Sequence, residues 1–219
     1  MEFGSVEVPE MLEVVEIPVT PFQQNCTLLI CTTTGKAAVC DCGDAAPVLA
    51  EIAARQVEVE LILATHGHLD HIGGTAQLKQ ELGVPFLFHS EDDFWRLSLP
   101  QQGEKYGLPA IPVPEPDGEL VHGQRVHIGE VELEVRHCPG HTPGHVVFYD
   151  AESGTLIAGD VIFQGSVGRT DFPRGSWPDL ERSIKEQVYT LPGETLIHCG
   201  HGPTTTVAQE ARSNPFVRA

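Results

Sequence analysis

The chain has 219 residues, of which 41% are hydrophobic and 6% aromatic, and its formal net charge is −18. This length allows one large domain with a real core, and the composition is that of a globular protein rather than a disordered one. The negative charge disfavours binding to nucleic acid or to an anionic membrane surface, because both require positive charge on the protein. It does not exclude a small anionic substrate, since a few local arginines can outweigh the global field at short range.

The start of the chain is treated separately from the rest. Residues 1–10 contain a Gly-Ser dipeptide and precede a second methionine, Met11, so we expect them to be an appended or disordered segment and residues 11–219 to form a single domain. Residues 1–10 have neither the basic start nor the apolar stretch of a secretory signal. No apolar run approaches the roughly 20 residues of a membrane span. The six cysteines form no CxxC pair, which indicates reduced thiols and a cytoplasmic location.

Hydrophobic periodicity predicts alternating strands and helices along the chain. The predicted elements, in chain order, are strands at 13–19, 26–31 and 37–41, a helix at 46–55, a strand at 61–64, a helix at 75–82, strands at 85–88, 125–128, 131–137, 145–150 and 155–160, a helix at 177–190, a strand at 195–199 and a helix at 205–213. Residues 97–118 are rich in proline and glycine, which predicts a long surface excursion. Interleaved strands and helices predict an α/β fold of two sheets with helices on their outer faces.

The segment THGHLDHIGG, residues 65–74, contains three histidines and one aspartate within six positions, directly after a short apolar strand. Side chains two apart in an extended segment point the same way, so His66, His68 and Asp70 are expected to converge on one side. His71 breaks this period and is expected to point elsewhere. Ligands on two adjacent sides favour two metal ions, and imidazole and carboxylate are ligands that zinc, iron and manganese accept.

Further ligand types occur downstream, each flanked by glycine and each at a predicted strand end: His141, Asp160 and His201. An α/β scaffold places a site at one edge of its sheets in this way. His145 is either a residue that orients a ligand or a simple strand residue, and Asp41 is a similar orienting candidate. We expect the remaining histidines to be ordinary core or surface residues: His89, His122, His127, His137 and His198.

Together these residues resemble the metallo-β-lactamase superfamily. The segments THGHLDHIGG, HCPGHTPGHVVFYD, GDVIFQGSVGRTDFPRG and GHGPTT resemble, more narrowly, the small single-domain glyoxalase II proteins (hydroxyacylglutathione hydrolases) of bacteria. The resemblance implies a four-layer αββα sandwich with two divalent metal ions at one sheet edge, zinc first and iron or manganese as alternatives. It implies one metal held by His66, His68 and His141, a second held by Asp70, His71 and His201, and Asp160 bridging both.

The function implied is hydrolysis of S-lactoylglutathione or a similar hydroxyacylglutathione to glutathione and a 2-hydroxy acid, by attack of a metal-bridging hydroxide. Asp70 could also accept the proton of the water. A thiolate leaving group needs little protonation, so no separate general acid is required. Arg169 and Arg174 are candidates for binding a substrate carboxylate. For Arg169, pairing with Asp171 as a structural arginine is an equal alternative.

Two departures from the glyoxalase II pattern bear on the substrate. The family's Asp-Pro-Gly occurs here as Asp41-Cys42-Gly43, which predicts a looser turn. Larger glyoxalase II enzymes carry a helical C-terminal region that binds glutathione, whereas 18 residues follow His201 in this sequence. The sequence therefore supports a hydrolytic reaction more strongly than it supports glutathione as the thiol of the substrate.

Two alternatives share the scaffold. The GRTDF segment also resembles persulfide dioxygenases, which bind one iron through two histidines and one aspartate, here His66, His141 and Asp160. Such an enzyme would act on glutathione persulfide. A third alternative is a non-catalytic protein that uses the metals for folding, although a structural site tends to be closed to water.

Overall fold

The computed structural model describes residues 11–108 and 112–219, so the expectation for residues 1–10 lies outside the described residues. The first sheet has six strands in sequence order: β1 (Leu12–Val19), β2 (Gln24–Cys31), β3 (Lys36–Cys40), β4 (Glu58–Leu63), β5 (Phe86–Phe88) and β6 (Gly118–Glu119). The first three strands pair antiparallel, and β3 to β6 run parallel. The helical elements of this half are α1 (Ala45–Arg55), α2 (Leu69–Ile72), α3 (Thr75–Leu82), a 3₁₀ turn (Ser90–Asp92), α4 (Asp93–Leu97) and α5 (Leu99–Tyr106).

The second sheet also has six strands. They are β7 (Arg125–Ile128), β8 (Val131–His137), β9 (Val146–Asp150), β10 (Thr155–Gly159), β13 (Leu196–Cys199) and β14 (Thr205–Thr206), in the spatial order β14-β13-β10-β9-β8-β7. A small hairpin, β11 (Ile162–Phe163) and β12 (Ser166–Val167), follows β10. The helices are α6 (Trp177–Ser183), which continues as a π-helix (Ile184–Val188), and α7 (Val207–Ser213).

Alternating burial along the strands produces the layers. In β2, Leu28 packs toward α1 on the outer face, and its neighbour Leu29 packs against the second sheet. In the second sheet, Phe148 faces the first sheet, and Val147 packs toward α6. Burying a side chain of this size contributes about 1.5–3 kcal/mol. Both faces of each sheet are covered, so the predicted four-layer αββα sandwich is confirmed.

The predicted surface excursion at 97–118 is wrong in part. Residues Leu99–Tyr106 form the helix α5, with Pro100 in its first turn and Gly107 ending it in the left-handed region at φ 68°. Proline is tolerated in a first turn because no intrahelical donor is lost there, so this proline begins a helix rather than breaking one. Within the described ranges, no helix is long and apolar enough to cross a membrane.

Candidate metal centre

Seven ligand-type side chains follow the carboxyl ends of four strands. Four come from the segment after β4, and one each from the segments after β8, β10 and β13: His66, His68, Asp70, His71, His141, Asp160 and His201. The structure brings all seven to one edge of the two sheets, where they form three overlapping groups of three, one of them made of His66, His71 and Asp160. We call His66, His68 and His141 the first ligand group, and Asp70, His71 and His201 the second.

The first ligand group is a convergence of three buried imidazoles. Nε2 of His66 and Nε2 of His141 each lie 3.0 Å from Nδ1 of His68. Ligands about 2.0–2.1 Å from a tetrahedral ion are about 3.3 Å apart, which is close to this spacing. Burial lowers the pKa of all three histidines. They therefore stay neutral, which is the form that binds a metal.

Hydrogen bonds orient two of these rings. Nδ1 of His141 donates to the carbonyl of Arg169 at 2.7 Å, which leaves its Nε2 with a free lone pair. The hydroxyl of Thr65 donates to Asp41 at 2.7 Å, so its oxygen can accept from Nδ1 of His66 at 3.0 Å. Such outer contacts select the tautomer that a metal ligand needs.

The second ligand group contains a carboxylate and two oriented imidazoles. Oδ2 of Asp70 lies 3.3 Å from Nε2 of His201 and 3.9 Å from Nε2 of His71. Nδ1 of His71 donates to Oδ2 of Asp41 at 2.9 Å, and Nδ1 of His201 donates to the carbonyl of Phe22 at 3.2 Å. Both rings therefore present Nε2 toward Asp70.

Asp160 lies between the two groups. Its Oδ1 is 3.4 Å from Nε2 of His71, and its Oδ2 is 3.6 Å from Nε2 of His141 and 3.7 Å from Nε2 of His201. Nε2 of His71 and Oδ1 of Asp160 are both buried without a hydrogen-bond partner among the described residues. Buried polar atoms rarely lack partners, and a cation bound between the two would satisfy both. The residues present therefore fit a pair of divalent metal ions.

The electrostatics of the centre also favour a cation. Burial opposes protonation of His71, but the carboxylates of Asp160, Asp41 and Asp70 outweigh it and raise the pKa of His71 well above its usual range. Burial likewise opposes ionisation of Asp160, yet the surrounding histidines, His71 foremost, lower its pKa. The cluster of carboxylates thus draws positive charge to the centre.

The backbone after β4 differs from the extended segment that the spacing predicted. Leu69–Ile72 forms the short helix α2, so Asp70 does not share a side with His66 and His68. It joins its neighbour His71 in the second ligand group. As expected, the segment supplies ligand-type residues to two groups. The predicted extended geometry was wrong for Asp70, because it placed this residue with His66 and His68.

Asp41 and His145 both lie where they can orient the ligands. Oδ1 of Asp41 accepts the backbone N–H of Thr65 at 2.7 Å, and its Oδ2 accepts from His71. Nε2 of His145 accepts the backbone N–H of Asp160 at 3.0 Å. Asp41 thereby supports both ligand groups, and His145 holds the backbone of the shared aspartate.

The turn after β3 is tight rather than loose. A Cβ on Gly43 would lie 1.9 Å from the carbonyl oxygen of Asp70, so only glycine fits this approach. The carbonyl of Cys42 accepts the backbone N–H of Gly74 at 2.8 Å. With cysteine in place of proline, the turn therefore still packs tightly against the segment that carries Asp70 and is hydrogen-bonded to it.

Sequence reasoning missed Asp92, a buried carboxylate beside the first ligand group. Its Oδ2 accepts from the backbone N–H of Gly67 at 2.9 Å and from the hydroxyl of Thr142 at 2.6 Å, and its Oδ1 accepts from the backbone N–H of Gly144 at 2.6 Å. Burial raises the pKa of Asp92 to about 6. Asp92 ties the loop of His66 and His68 to the loop of His141. Its setting in SEDDF offers no sequence signal for this role.

A further group of ligand-type residues, His89, Glu91 and His137, lies outside the seven, with its ligand atoms within 4.8 Å of one another. The rings of His89 and His137 stack with centroids 4.4 Å apart. Nδ1 of His89 accepts the backbone N–H of Glu91, and Nε2 of His137 donates to the carbonyl of Pro143 at 2.7 Å. These two hydrogen bonds occupy one ring nitrogen of each histidine with backbone partners.

A cavity of about 710 Å³ opens onto the ligands. Its walls include the aromatic side chains of Phe22, Phe94, Trp95, Tyr106, Phe163 and Phe172, and helices α4 and α5 supply much of one side. Arg169 lines it, but its guanidinium is paired with Asp171 through contacts of 2.8 and 2.7 Å. Arg174 is not among the cavity-lining residues, and its guanidinium lies 4.2 Å from the Phe94 ring centroid.

The chain is similar to known proteins in sequence and in fold. The hydroxyacylglutathione hydrolase GloC of Haemophilus influenzae is 42% identical over 205 residues, which cover 93% of this chain and 97% of that protein. The crystal structure of BLEG-1 B3 metallo-β-lactamase is 33% identical with a TM-score of 0.88, and the alignment covers 94% of this chain and all of that one. The structure of TTHA1623 in a di-iron-bound form is 36% identical with a TM-score of 0.85, covering 93% of this chain and all of that one.

The family comparison covers most of the chain. The model of the metallo-beta-lactamase superfamily matches residues 19–201, a stretch that begins at the end of β1 and ends at the last ligand-type histidine. The resemblance inferred from the sequence is confirmed. The chain belongs to the metallo-β-lactamase superfamily, whose members bind divalent metal ions.

Proposed function

We propose that this protein is a two-metal thioester hydrolase of the glyoxalase II type, which cleaves S-lactoylglutathione or a similar hydroxyacylglutathione to glutathione and a 2-hydroxy acid. The observation that carries the proposal is the pair of ligand groups joined by Asp160 at the bottom of an open cavity. The name of the Haemophilus influenzae relative, at 42% identity, supports the substrate class.

The ligand residues define the chemistry. Divalent ions held by the two groups would polarise the thioester carbonyl and provide a hydroxide nucleophile near neutral pH. Asp70, which lines the cavity with its Oδ2 3.3 Å from His201, is placed to hold the proton released from water. The thiolate leaves without a proton donor, because thiols are far more acidic than alcohols.

The proposed metals are zinc first, with iron or manganese as alternatives, because imidazole and carboxylate suit all three. The di-iron form of TTHA1623 supports iron as an alternative. The proposed partner is a small glutathione thioester, without nucleic acid or membrane. The six buried free cysteines are consistent with a reducing compartment, and a cytoplasmic location is part of the proposal.

The dioxygenase alternative would use His66, His141 and Asp160 around one iron. It leaves the second ligand group without a role, although His71 and His201 are each oriented through Nδ1. The non-catalytic alternative predicts a closed site. The cavity reaches His68, Asp70 and Asp160, so the centre has room for a substrate.

The test divides one metal-loaded preparation among three substrates: S-lactoylglutathione with thioester loss, glutathione persulfide with oxygen uptake, and a chromogenic β-lactam with ring opening. We expect thioester loss, abolished by His71→Ala and retained by His127→Ala, a control at an exposed histidine outside the centre. Oxygen uptake that survives His71→Ala but not His66→Ala would replace the proposal with the dioxygenase. β-Lactam hydrolysis without thioester loss would also overturn it.

A further inference from the structure

The cavity-lining residues among those the structure describes include one lysine and one arginine, Lys105 and Arg169. Arg169 is already neutralised by its two contacts with Asp171. An anionic ligand would have to compete with that carboxylate for the guanidinium. Lys105 is therefore the side chain that can offer an uncompensated positive charge to the cavity.

Lys105 also differs from the other lysines. The chain has 31 acidic residues and four lysines, Lys36, Lys79, Lys105 and Lys185. Lys36 pairs with Glu58 and Glu60, Lys79 with Asp117, and Lys185 with Glu181. Within the described part of the chain, Lys105 makes no ion pair. The ammonium of Lys105 therefore has no carboxylate to compete with a ligand that enters the cavity.

Aromatic contacts place Lys105 at the mouth of the cavity. Its ammonium lies 5.1 Å from the ring centroid of Tyr106, and that ring meets Phe22 edge-on at 5.5 Å. The carbonyl of Phe22 in turn accepts from His201 of the second ligand group. Lys105 and Tyr106 are exposed, whereas His68 and His141 at the bottom are buried. The cation thus lies on the outer rim, and the ligands lie at the inner end.

This geometry determines which part of a thioester can reach Lys105. The carbonyl carbon must approach the ligand groups, and a lactoyl group extends by two further carbons. The cavity, at about 710 Å³, has room for a much larger ligand. The thiol half is the part long enough to extend toward the rim. A cation there is complementary to a negative charge on that half and offsets the repulsion from the chain's net charge of −18.

We propose that Lys105 binds a carboxylate of the thiol half of the substrate at the cavity mouth, and so makes the site selective for anionic peptide thiols over neutral thiols. The inference rests on the proposed thioester hydrolysis. It assigns Lys105 a role in specificity, and the reaction at the ligand groups does not depend on it.

The experiment compares Lys105→Met with Lys185→Met, which removes the same charge from an exposed site on the π-helix. Each is assayed with S-lactoylglutathione and with the neutral thioester S-lactoyl-N-acetylcysteamine. We expect Lys105→Met to raise KM for the glutathione thioester roughly five-fold, the effect of one partly exposed charge-assisted contact, with kcat nearly unchanged. KM for the neutral thioester should not move, Lys185→Met should change neither, and Lys105→Arg should restore the wild-type KM.

Binding of S-methylglutathione, measured by calorimetry, provides a readout independent of turnover. We expect weaker binding to Lys105→Met by a similar factor and no change for Lys185→Met. Equal effects on both thioesters, or unchanged binding, would overturn the role of Lys105. If the wild-type protein hydrolyses neither thioester, the proposed function fails, and calorimetry still decides the inference: absent or unaltered binding overturns it, and weakened binding of the variant supports it.

Discussion

The two ligand groups of the centre differ in charge and in exposure. The first consists of three imidazoles, and the side chain of His141 is 3% exposed. The second includes a carboxylate, and the side chains of Asp70 and His201 are 18% and 29% exposed. The first group is buried, and hydrogen bonds orient His66 and His141 within it. The second group concentrates negative charge beside the cavity, where water and substrate enter. One edge of the fold thus carries a buried group of three imidazoles beside a more accessible group that includes a carboxylate.

Asp160 lies between the two groups and faces histidines of both, so its replacement should give the largest effect. In Asp160→Ala, each proposed metal loses a ligand, and the negative charge that balances His71 is removed. We expect metal content to fall from two ions to one or fewer, and kcat to fall by at least about 10³-fold. Metal analysis and thioester assays measure both. Asp179→Ala, at an exposed ion pair on α6, is the control. Full metal content in Asp160→Ala would contradict the bridging position.

Asp41 distinguishes the groups, because it contacts His71 directly and reaches His66 through Thr65. We expect Asp41→Asn to lower metal affinity about 10–100-fold, with the ion of the second group lost first. Chelator titration followed by metal analysis measures the two losses. Glu16→Gln is a matched control, since Glu16 accepts from Nδ1 of His198 at 2.7 Å outside the centre. If both ions were released equally, Asp41 would not support the second group more strongly than the first.

Asp92 acts on the first group alone, because it joins the two loops that carry the three imidazoles. In Asp92→Asn, an amide N–H would face a backbone N–H, so we expect a loss of about 2 kcal/mol in the free energy of unfolding. Urea unfolding with metal in excess measures the loss, and metal content should fall by one ion or less. Asp150→Asn, a buried carboxylate that accepts backbone N–H groups of a turn, should lower stability without changing metal content.

The pH dependence of that loss has a definite sign. Burial raises the pKa of Asp92 to about 6 in the folded protein, above its ordinary value of 3.8. The folded state therefore binds the proton more readily, and this group stabilises the fold as pH falls from 7 toward 4. The deficit of Asp92→Asn relative to wild type should grow by about 1 kcal/mol between pH 7 and pH 5. A deficit that shrinks over this range would contradict a buried, protonatable Asp92.

Replacement of the Arg169 side chain should give the smallest effect. The backbone carbonyl of Arg169, which accepts from His141, would remain, and the side chain lies exposed at the rim of the cavity. We expect Arg169→Met to raise KM for S-lactoylglutathione about two- to three-fold, with metal content unchanged. Arg174→Met, outside the cavity lining, should change KM less. Steady-state kinetics measure both. A larger effect at Arg174 would reverse the order proposed for the two arginines.

The layers and the positions of the ligand-type residues follow from patterns within short stretches of the sequence. Alternating burial in segments such as 26–31 is a property of neighbouring residues, so it predicts the two-sided packing of β2. His141, Asp160 and His201 were located by residue type and by their glycine-flanked places at strand ends. These patterns involve residues close together in the sequence, so they do not depend on contacts between distant segments.

The grouping of these residues and their surroundings depend on contacts between distant segments. Asp70 joins His201 because a helical turn reorients it. Asp92 reaches Gly144 across 52 positions, and Lys105 reaches the cavity because residues that suggested a loose excursion form α5. Sequence periodicity describes neighbours a few positions apart. Contacts between distant segments depend on how helices and sheets pack, which no single stretch of this sequence encodes.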